Sequence, residues 1–540
     1  MRKLFIWSSV SLTAVLVLVG IFVSPGIFWS FAFVGPLLVM GYIDYFQNAH
    51  ALRRNFPVIG RMRYWAESLR PKVNQYFVES NTDGVPFSRE QRSVVYQRAK
   101  GDVDSVPFGT QHDVYADGYE WVTHSLSPST LKVADLRTTI GGPQCSAPYS
   151  ASIFNISAMS YGSLSQNAIL ALNGAALDGK FAHNTGEGGL SQYHLQHGGD
   201  LIWQIGTGYF SCRNEDGSFS AALFEKNAMT PQIKMIELKL SQGAKPSHGG
   251  ILPAKKVTRE ISEIRNVPMG KDVVSPPAHS EFSTPVGMLE FVARLRKLSG
   301  GKPVGIKLCL GKRREFMALC KAMKKTGIRP DYISIDGGEG GTGAAPLEFS
   351  NYVGYPGVDA LVFVHHCLLG FGLRSDVKLF TSGKVTTSFE ILKRLALGAD
   401  VVYSARGMLL ALGCIQALQC NTNRCPTGVA TQDPGLVAGL VVPDKRKRVA
   451  NFHHETLSSL AHMLSAMGIK RASYLRPWHV MKRVNGSEVK HYGELYPYVQ
   501  MDDFLKGKVP SGYQRCFDAA DPDSFEPLFN DDGPAEDKAA

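Results

Sequence analysis

Three cysteines fall within twelve residues, Cys414, Cys420 and Cys425, and Pro426 follows the last. Thiolates this close on one loop can hold a soft metal or an iron–sulfur cluster. Zinc is the rival, but it usually takes C-x2-C pairs and four ligands, and neither pattern occurs here. Three buried thiols are the plain alternative. Two short stretches, Ser382-Gly383-Lys384 and Ala405-Arg406-Gly407, each end an apolar run. Small residues let backbone N–H groups approach a phosphate, and the cation adds charge; two ordinary turns with solvated cations would read the same way. Lys307 sits at the end of another apolar run. Burying it unpaired would be costly. Beside a flavin it would stabilise negative charge on the reduced ring; otherwise it snorkels to solvent. The loop Lys245-Pro246-Ser247-His248-Gly249-Gly250 is fixed by Pro and paired Gly and displays a cation suited to a bound acid. Glu187, set between glycines, reads either as a general acid/base or substrate contact or as a solvated carboxylate.

These residues need a frame that gathers them. From Ile153 onward a short β-rich run, a Gly/Ser loop and a helical stretch alternate. The β-rich runs are at 152–157, 179–182, 304–308, 331–335, 377–380 and 399–403. Strands alternating with helices imply parallel pairing, and the polar Gly-rich text always follows the strand. In a (β/α)8 barrel those loops form the face where sites are built, with phosphate groups held after the last two strands. An open doubly wound sheet also alternates, but no early G-x-G-x-x-G follows a strand. The expected fold is therefore an α/β barrel preceded by a transmembrane helical hairpin.

Hydrophobic residues make up 44% of the 540 and charged residues 19%, which allows a large core and excludes global disorder. The net charge of +11 does not mark a nucleic-acid surface, because no Lys/Arg run interleaves with aromatics. Nine scattered cysteines argue against a secreted disulfide framework. Two apolar runs, Leu4–Val23 and Ile27–Ile43, flank Ser24-Pro25-Gly26, and each suits a bilayer span. Arg2 and Lys3 precede them, and Arg53, Arg54, Arg61 and Arg63 follow. The positive-inside rule then sets both ends in the cytoplasm. A cleaved signal peptide and a single span plus interfacial helix are the alternatives. The expected location is the inner (cytoplasmic) membrane, with the catalytic domain facing the cytoplasm. The expected divisions are a hairpin (1–45), a juxtamembrane neck and wrapping segment (46–150), the barrel (151–435), a helical extension (436–517) and an acidic disordered tail (518–540).

Six motifs occur in order: SAMSYGSLS at Ser157–Ser165, HNTGEGG at His183–Gly189, GAKPSHGGILPAKKV at Gly243–Val257, SPPAHS at Ser275–Ser280, DGGEGGTGAAP at Asp336–Pro346 and GCIQALQCNTNRCPTGVATQDP at Gly413–Pro434. As a set they resemble the synthase domain of glutamate synthases, over more than half the chain. The resemblance implies a barrel that binds FMN and one [3Fe-4S] cluster, whose C-x5-C-x4-C spacing matches Cys414, Cys420 and Cys425. It implies electron flow from cluster to FMN, then hydride to 2-iminoglutarate formed from 2-oxoglutarate and ammonia. It places Met159, Ser160, Lys307, Ser382, Gly383 and Arg406 around FMN, and Glu187, Lys245 and Arg265 at the keto acid, with Lys245 and Glu187 as the catalytic pair.

The sequence departs from that pattern in three ways. An amidotransferase domain is not matched, so ammonia is expected from solution or an amidotransferase partner. Ser247 and His248 replace a family Gly-Glu, and Ile251 replaces a Gln that contacts substrate, so a different amino or keto acid is the competing substrate reading. The family's C-terminal β-helix is not evident. No nucleotide fingerprint appears, so ferredoxin or a reductase subunit is the expected electron donor. A membrane-tethered electron carrier without its own substrate is the third reading.

Overall fold

The computed structural model describes residues 2–102 and 105–529 and divides at Glu90 into two units. In the first, helices α1 (Arg2–Phe22) and α2 (Phe31–Phe46) are joined by a short turn at Pro25–Ser30. The segments Arg2–Phe22 and Pro25–Phe46 are long and apolar enough to cross a membrane. Ser9 Oγ meets Tyr42 Oη at 2.9 Å, and the Phe5 and Tyr42 rings meet edge-on at 5.4 Å. Such polar and aromatic contacts between apolar helices give the pair a fixed register. Asp44, at the end of α2, accepts from Arg61 Nε at 2.8 Å and from the Val58 N–H at 3.1 Å. The expected juxtamembrane neck contains a helix at Gly60–Val73 followed by a π turn at Asn74–Val78.

The second unit is built on a closed parallel barrel. Its strands are β1 (Phe154–Ile156), β2 (His183–Asn184), β3 (Leu201–Ile205), β4 (Ile233–Lys239), β5 (Val304–Cys309), β6 (Tyr332–Asp336), β7 (Lys378–Thr381) and β8 (Val401–Ser404). β8 pairs back onto β1 through Val402 opposite Phe154. Six strands lie at or next to the expected runs. The run at 179–182 is the exception in register: pairing starts only at His183. β3 and β4 were not among the expected strands and complete the circle.

Side chains two residues apart on a strand share one face. Here they climb the barrel interior from apolar to polar. Ile140, Ala151, Ala182, Ile202, Met235, Tyr332, Phe380, Val401 and Tyr403 form one buried cluster. Ile140 and Ala151 reach it from an antiparallel hairpin, Arg137–Ile140 with Tyr149–Ser152. This hairpin lies at the end of the expected wrapping segment, which also carries a helix at Arg89–Lys100 and a strand at Glu120–Val122. Two residues further along β4, Glu237 accepts from Asn184 Nδ2 and Gln204 Nε2, both at 2.7 Å. Burial pushes the Glu237 carboxyl above its ordinary range, against the pull of Lys307 and those two amides. Two residues further still, the same face ends in Lys239.

The extension is not purely helical. Its long helix Val442–Ala466 packs on Gln166–Gly179, and His453 Nε2 lies 2.9 Å from the Phe154 carbonyl. Val480–Arg483 and Val489–His491 then form a three-stranded antiparallel sheet with Glu120–Val122. The acidic tail also departs from expectation as far as residue 529. Lys325 Nζ pairs with Asp523 at 2.7 Å, Lys321 Nζ donates to the Ala520 carbonyl at 2.9 Å, and the Leu528 N–H donates to Ala519 at 3.0 Å. The rest of that tail, 530–540, lies outside the described residues.

Candidate active site

The top of β4 and β5 carries two lysines in register, Lys239 opposite Lys307. Both are buried, with Lys307 only 4% exposed, so it does not snorkel. Lys239 Nζ lies 2.7 Å from Glu187 Oε1 and donates to Gln242 Oε1 at 2.8 Å. Burial pulls the Lys239 ammonium below its ordinary range, more than Glu187 restores. For Glu187, burial favours the neutral acid, but Lys239, Lys245 and Arg265 outweigh it and hold the carboxyl low. His279 of SPPAHS fixes this strand end: Nε2 donates to the Lys239 carbonyl at 2.8 Å, which leaves Nδ1 to accept from Tyr209 Oη at 3.0 Å.

Lys245 is not displayed on its loop as expected. It is 3% exposed and donates to the Ala344 carbonyl at 3.0 Å. Burial lowers it to about 8, with Glu187 opposing and Lys239 assisting. Arg265 is buried at the end of the helix Arg259–Arg265. It donates to the Tyr161 carbonyl at 3.0 Å, lies over the Phe210 ring at 5.1 Å, and leaves Nε without a partner. A Cβ at Gly188 would stand 2.6 Å from Arg265 and 2.7 Å from Ser160 Cβ, so the HNTGEGG loop brings these two side chains together. Met159 is buried and its carbonyl lies 3.0 Å from His194 Nε2.

On the other side, Lys307 Nζ is 3.7 Å from Asp336 Oδ2. Burial opposes the Lys307 charge, and Asp336, Glu237 and Glu187 more than restore it. Asp336 also accepts from Ser382 Oγ and from the Gly243 N–H. Glu339 is the informative neighbour. It accepts from the Gly357 N–H at 2.9 Å, at the start of the helix Gly357–Gly370. A Cβ on Gly383 would stand 2.6 Å from its Oε1, and Gly383 has φ +120°, a conformation side chains resist. Arg406 donates to the Glu339 carbonyl at 2.6 Å. A carboxylate thus sits on the N–H at a helix N-terminus beside Gly383, with Arg406 bound to the Glu339 main chain close by, a setting that also suits a phosphate.

The three cysteines share one loop, tightened by positive φ at Gln416, Leu418 and Asn423. Burial raises the Cys414 thiol to about 11 and raises Cys420. Cys425 is the exception: burial works against its thiolate, but Thr427 Oγ1 and the N–H groups of Thr427, Val429 and Ala430 bring it below its ordinary range. The thiols act on one another electrostatically. Among the described residues no group of three His, Cys, Asp or Glu stands at metal-ligating separation. In donor type and amide surroundings the loop fits an iron–sulfur cluster.

The structure thus gathers Glu187, Lys245, Arg265 and Ser160 on one side of the mouth and Lys307, Ser382, Gly383 and Arg406 on the other. Sequence reasoning missed Lys239, Glu237 and Glu339 as members. The signal for the first two was a charge at alternate positions of a Met/Ile/Leu run, Glu237 and Lys239, which a buried strand does not carry without partners.

A parallel barrel with buried cations, a low carboxyl and an oxyanion cradle at its C-terminal mouth is that of a barrel enzyme. Residues 127–470 match the family model described as conserved region in glutamate synthase. The glutamate synthase large subunit-like protein YerD of Bacillus subtilis (strain 168) is 38% identical over 504 residues, covering 85% of this chain and 95% of that one. An archaeal-type glutamate synthase (NADPH) of Thermotoga neapolitana is 35% identical over 320 residues, 59% of this chain and 60% of its own. An archaeal glutamate synthase (NADPH) of Methanocaldococcus jannaschii is 34% identical over 360 residues, 66% of each. The chain belongs to the glutamate synthase family and is a glutamate-synthase-like oxidoreductase.

Proposed function

We propose that the protein forms glutamate by reductive amination of 2-oxoglutarate, with ammonia from solution or a partner subunit and electrons from ferredoxin or a reductase subunit. One observation carries this reading: Lys239 pairs with Glu187 at 2.7 Å, Lys245 lines the same pocket, and Arg265 acts on the same carboxylate, so three cations and one carboxylate leave two positive charges for a substrate with two carboxylates. Lys245 and Arg265 are the carboxylate partners, Arg265 through its planar fork. Glu187, held ionised, accepts from the substrate nitrogen and orients it. Bound FMN would supply hydride and a [3Fe-4S] cluster would supply single electrons. Met159, Ser160, Lys307, Ser382, Gly383 and Arg406 would hold the flavin; Cys414, Cys420 and Cys425 would hold the cluster. The carboxylate of Glu339 on the Gly357 N–H beside Gly383, with Arg406 adjacent, supports a phosphate there, and Lys307 would favour a negatively charged ring. The apolar helices at the N-terminus support a membrane anchor with the barrel on the cytoplasmic side. The direct test uses anaerobic protein in detergent with chemically reduced flavin. Flavin reoxidation with stoichiometric glutamate on adding 2-oxoglutarate and ammonium is expected; a flavin that stays reduced overturns the reading.

The Lys245 shift sets a pH dependence. A lysine lowered to about 8 is charged below that pH and neutral above it. Binding of an anionic substrate is therefore complete below about pH 8 and is lost as pH rises through it. A plot of log kcat/KM against pH, which reports the free enzyme, is expected to fall above about 8. Lys245→Arg is expected to move that break to higher pH.

Ile251 favours a second reading, a different keto or amino acid. It stands beside Gly250, where a Cβ would lie 2.7 Å from Glu187, and it offers no hydrogen bond. Where a family amide contacts substrate, its loss removes about 1–3 kcal/mol. Ile251→Gln is expected to raise kcat/KM for 2-oxoglutarate by about tenfold or more. An unchanged value would place Ile251 outside the substrate contact.

A further inference from the structure

Lys256 takes no part in the chemistry above, yet it is 2% exposed. Its Nζ donates to the Ser163 and Ala430 carbonyls, both at 2.9 Å. Ser163 belongs to the loop that carries Met159 and Ser160. Ala430 belongs to the cysteine loop and gives its N–H to Cys425. Neutral bonds already sew these two loops together. The Ser165 N–H donates to Val429 at 2.9 Å, and Gln432 Nε2 donates to Gly162 and Leu164 at 3.1 and 2.8 Å. Holding the loops together therefore does not need an ammonium, whose burial is costly without a counter-charge. Among the described residues, the ionisable groups that act on Lys256 are the thiols of Cys420 and Cys425. A negative group held by those thiols is the counter-charge this lysine lacks.

We propose that Lys256 is a positioning residue for the iron–sulfur cluster, a buried cation that ties the cysteine loop to the Ser160 loop and holds the cluster's reduction potential up. This rests on the cofactor reading above. Reduction of the cluster adds one electron and one negative charge, and no bond forms or breaks. A fixed cation favours the reduced form, since net charge and surroundings set the potentials of such clusters. The position suits the role, because the same side chain touches the loop of the flavin site and neighbours two cluster cysteines.

The test uses the full chain, purified anaerobically in detergent, as wild type and as Lys256→Met, Lys256→Gln and Lys256→Arg. Iron content and an EPR-monitored redox titration are the readouts. Met and Gln are expected to keep iron and to shift the reduction equilibrium about tenfold or more toward the oxidised form, a fall of about 59 mV for one electron. Arg is expected to stay close to wild type. Iron lost from Met and Gln but kept in Arg would also support the proposal. Met and Gln variants with full iron and an unchanged potential overturn it, and so does loss of iron from all three variants, which would make the amine's shape the requirement. A wild-type protein without an iron–sulfur cluster is a separate result: it overturns the cofactor reading, and this proposal with it.

Discussion

Lys239→Met is expected to lower kcat/KM for the keto acid by about 10²- to 10⁴-fold while leaving flavin content unchanged. Lys239 and Glu187 are 2.7 Å apart, Lys239 buried and Glu187 mostly so, with side chains 7% and 18% exposed. Removing one partner of such a pair costs about 3–5 kcal/mol, and about 1.4 kcal/mol is tenfold in rate. Without Lys239, burial has less to oppose it at Glu187, and the carboxyl shifts toward its neutral form. The nitrogen of the substrate then loses its acceptor, and the site loses a positive charge. Glu187→Gln alone and the double variant complete a cycle. Strongly non-additive losses are expected, because the two side chains act as a unit. A Lys239→Met enzyme within threefold of wild type would remove the pair from the site.

The second large effect concerns the cysteine loop. Cys425→Ala is expected to abolish the iron content and bring donor-driven turnover to background. The half-reaction started from chemically reduced flavin should survive, because it needs no electrons from the donor. Cys425 is the informative choice because Thr427, Val429 and Ala430 already favour its thiolate, the form that ligates metal. Cys212→Ala is the matched control, a buried thiol raised by burial alone, and is expected to keep its iron. Equal iron in both variants would return the three thiols to ordinary core residues.

The barrel was legible in the text because each polar Gly-rich loop follows an apolar strand, and a parallel barrel puts those loops on one face. The cysteine loop was legible because its ligands are close in sequence. The neighbours of those residues were harder to read. Lys239 and Glu237 sit on a strand whose alternation of Met235, Glu237 and Lys239 has meaning only once the barrel interior is known. Glu339 reads as one more loop carboxylate until Gly357 and Gly383 are folded around it. Lys245 was read as displayed because a Pro/Gly loop is usually exposed; here the loop folds inward and buries it. The extension over 436–517 was expected to be helical, and its strands at Val480–Arg483 and Val489–His491 were missed. Both are short, and their third strand, Glu120–Val122, lies more than 300 residues upstream.

Closure of the barrel has a consequence for synthesis. β1 ends at Ile156 and its partner β8 begins at Val401, so about 245 residues must leave the ribosome before the ring can shut. At about 5–20 residues per second that is roughly 12–50 s. For that time the first strand offers an unpaired edge, the kind of surface that recruits other chains. A nascent chain stopped before Ser404 is thus an open curved sheet with two free rims, and translational pausing in this interval should favour aggregation.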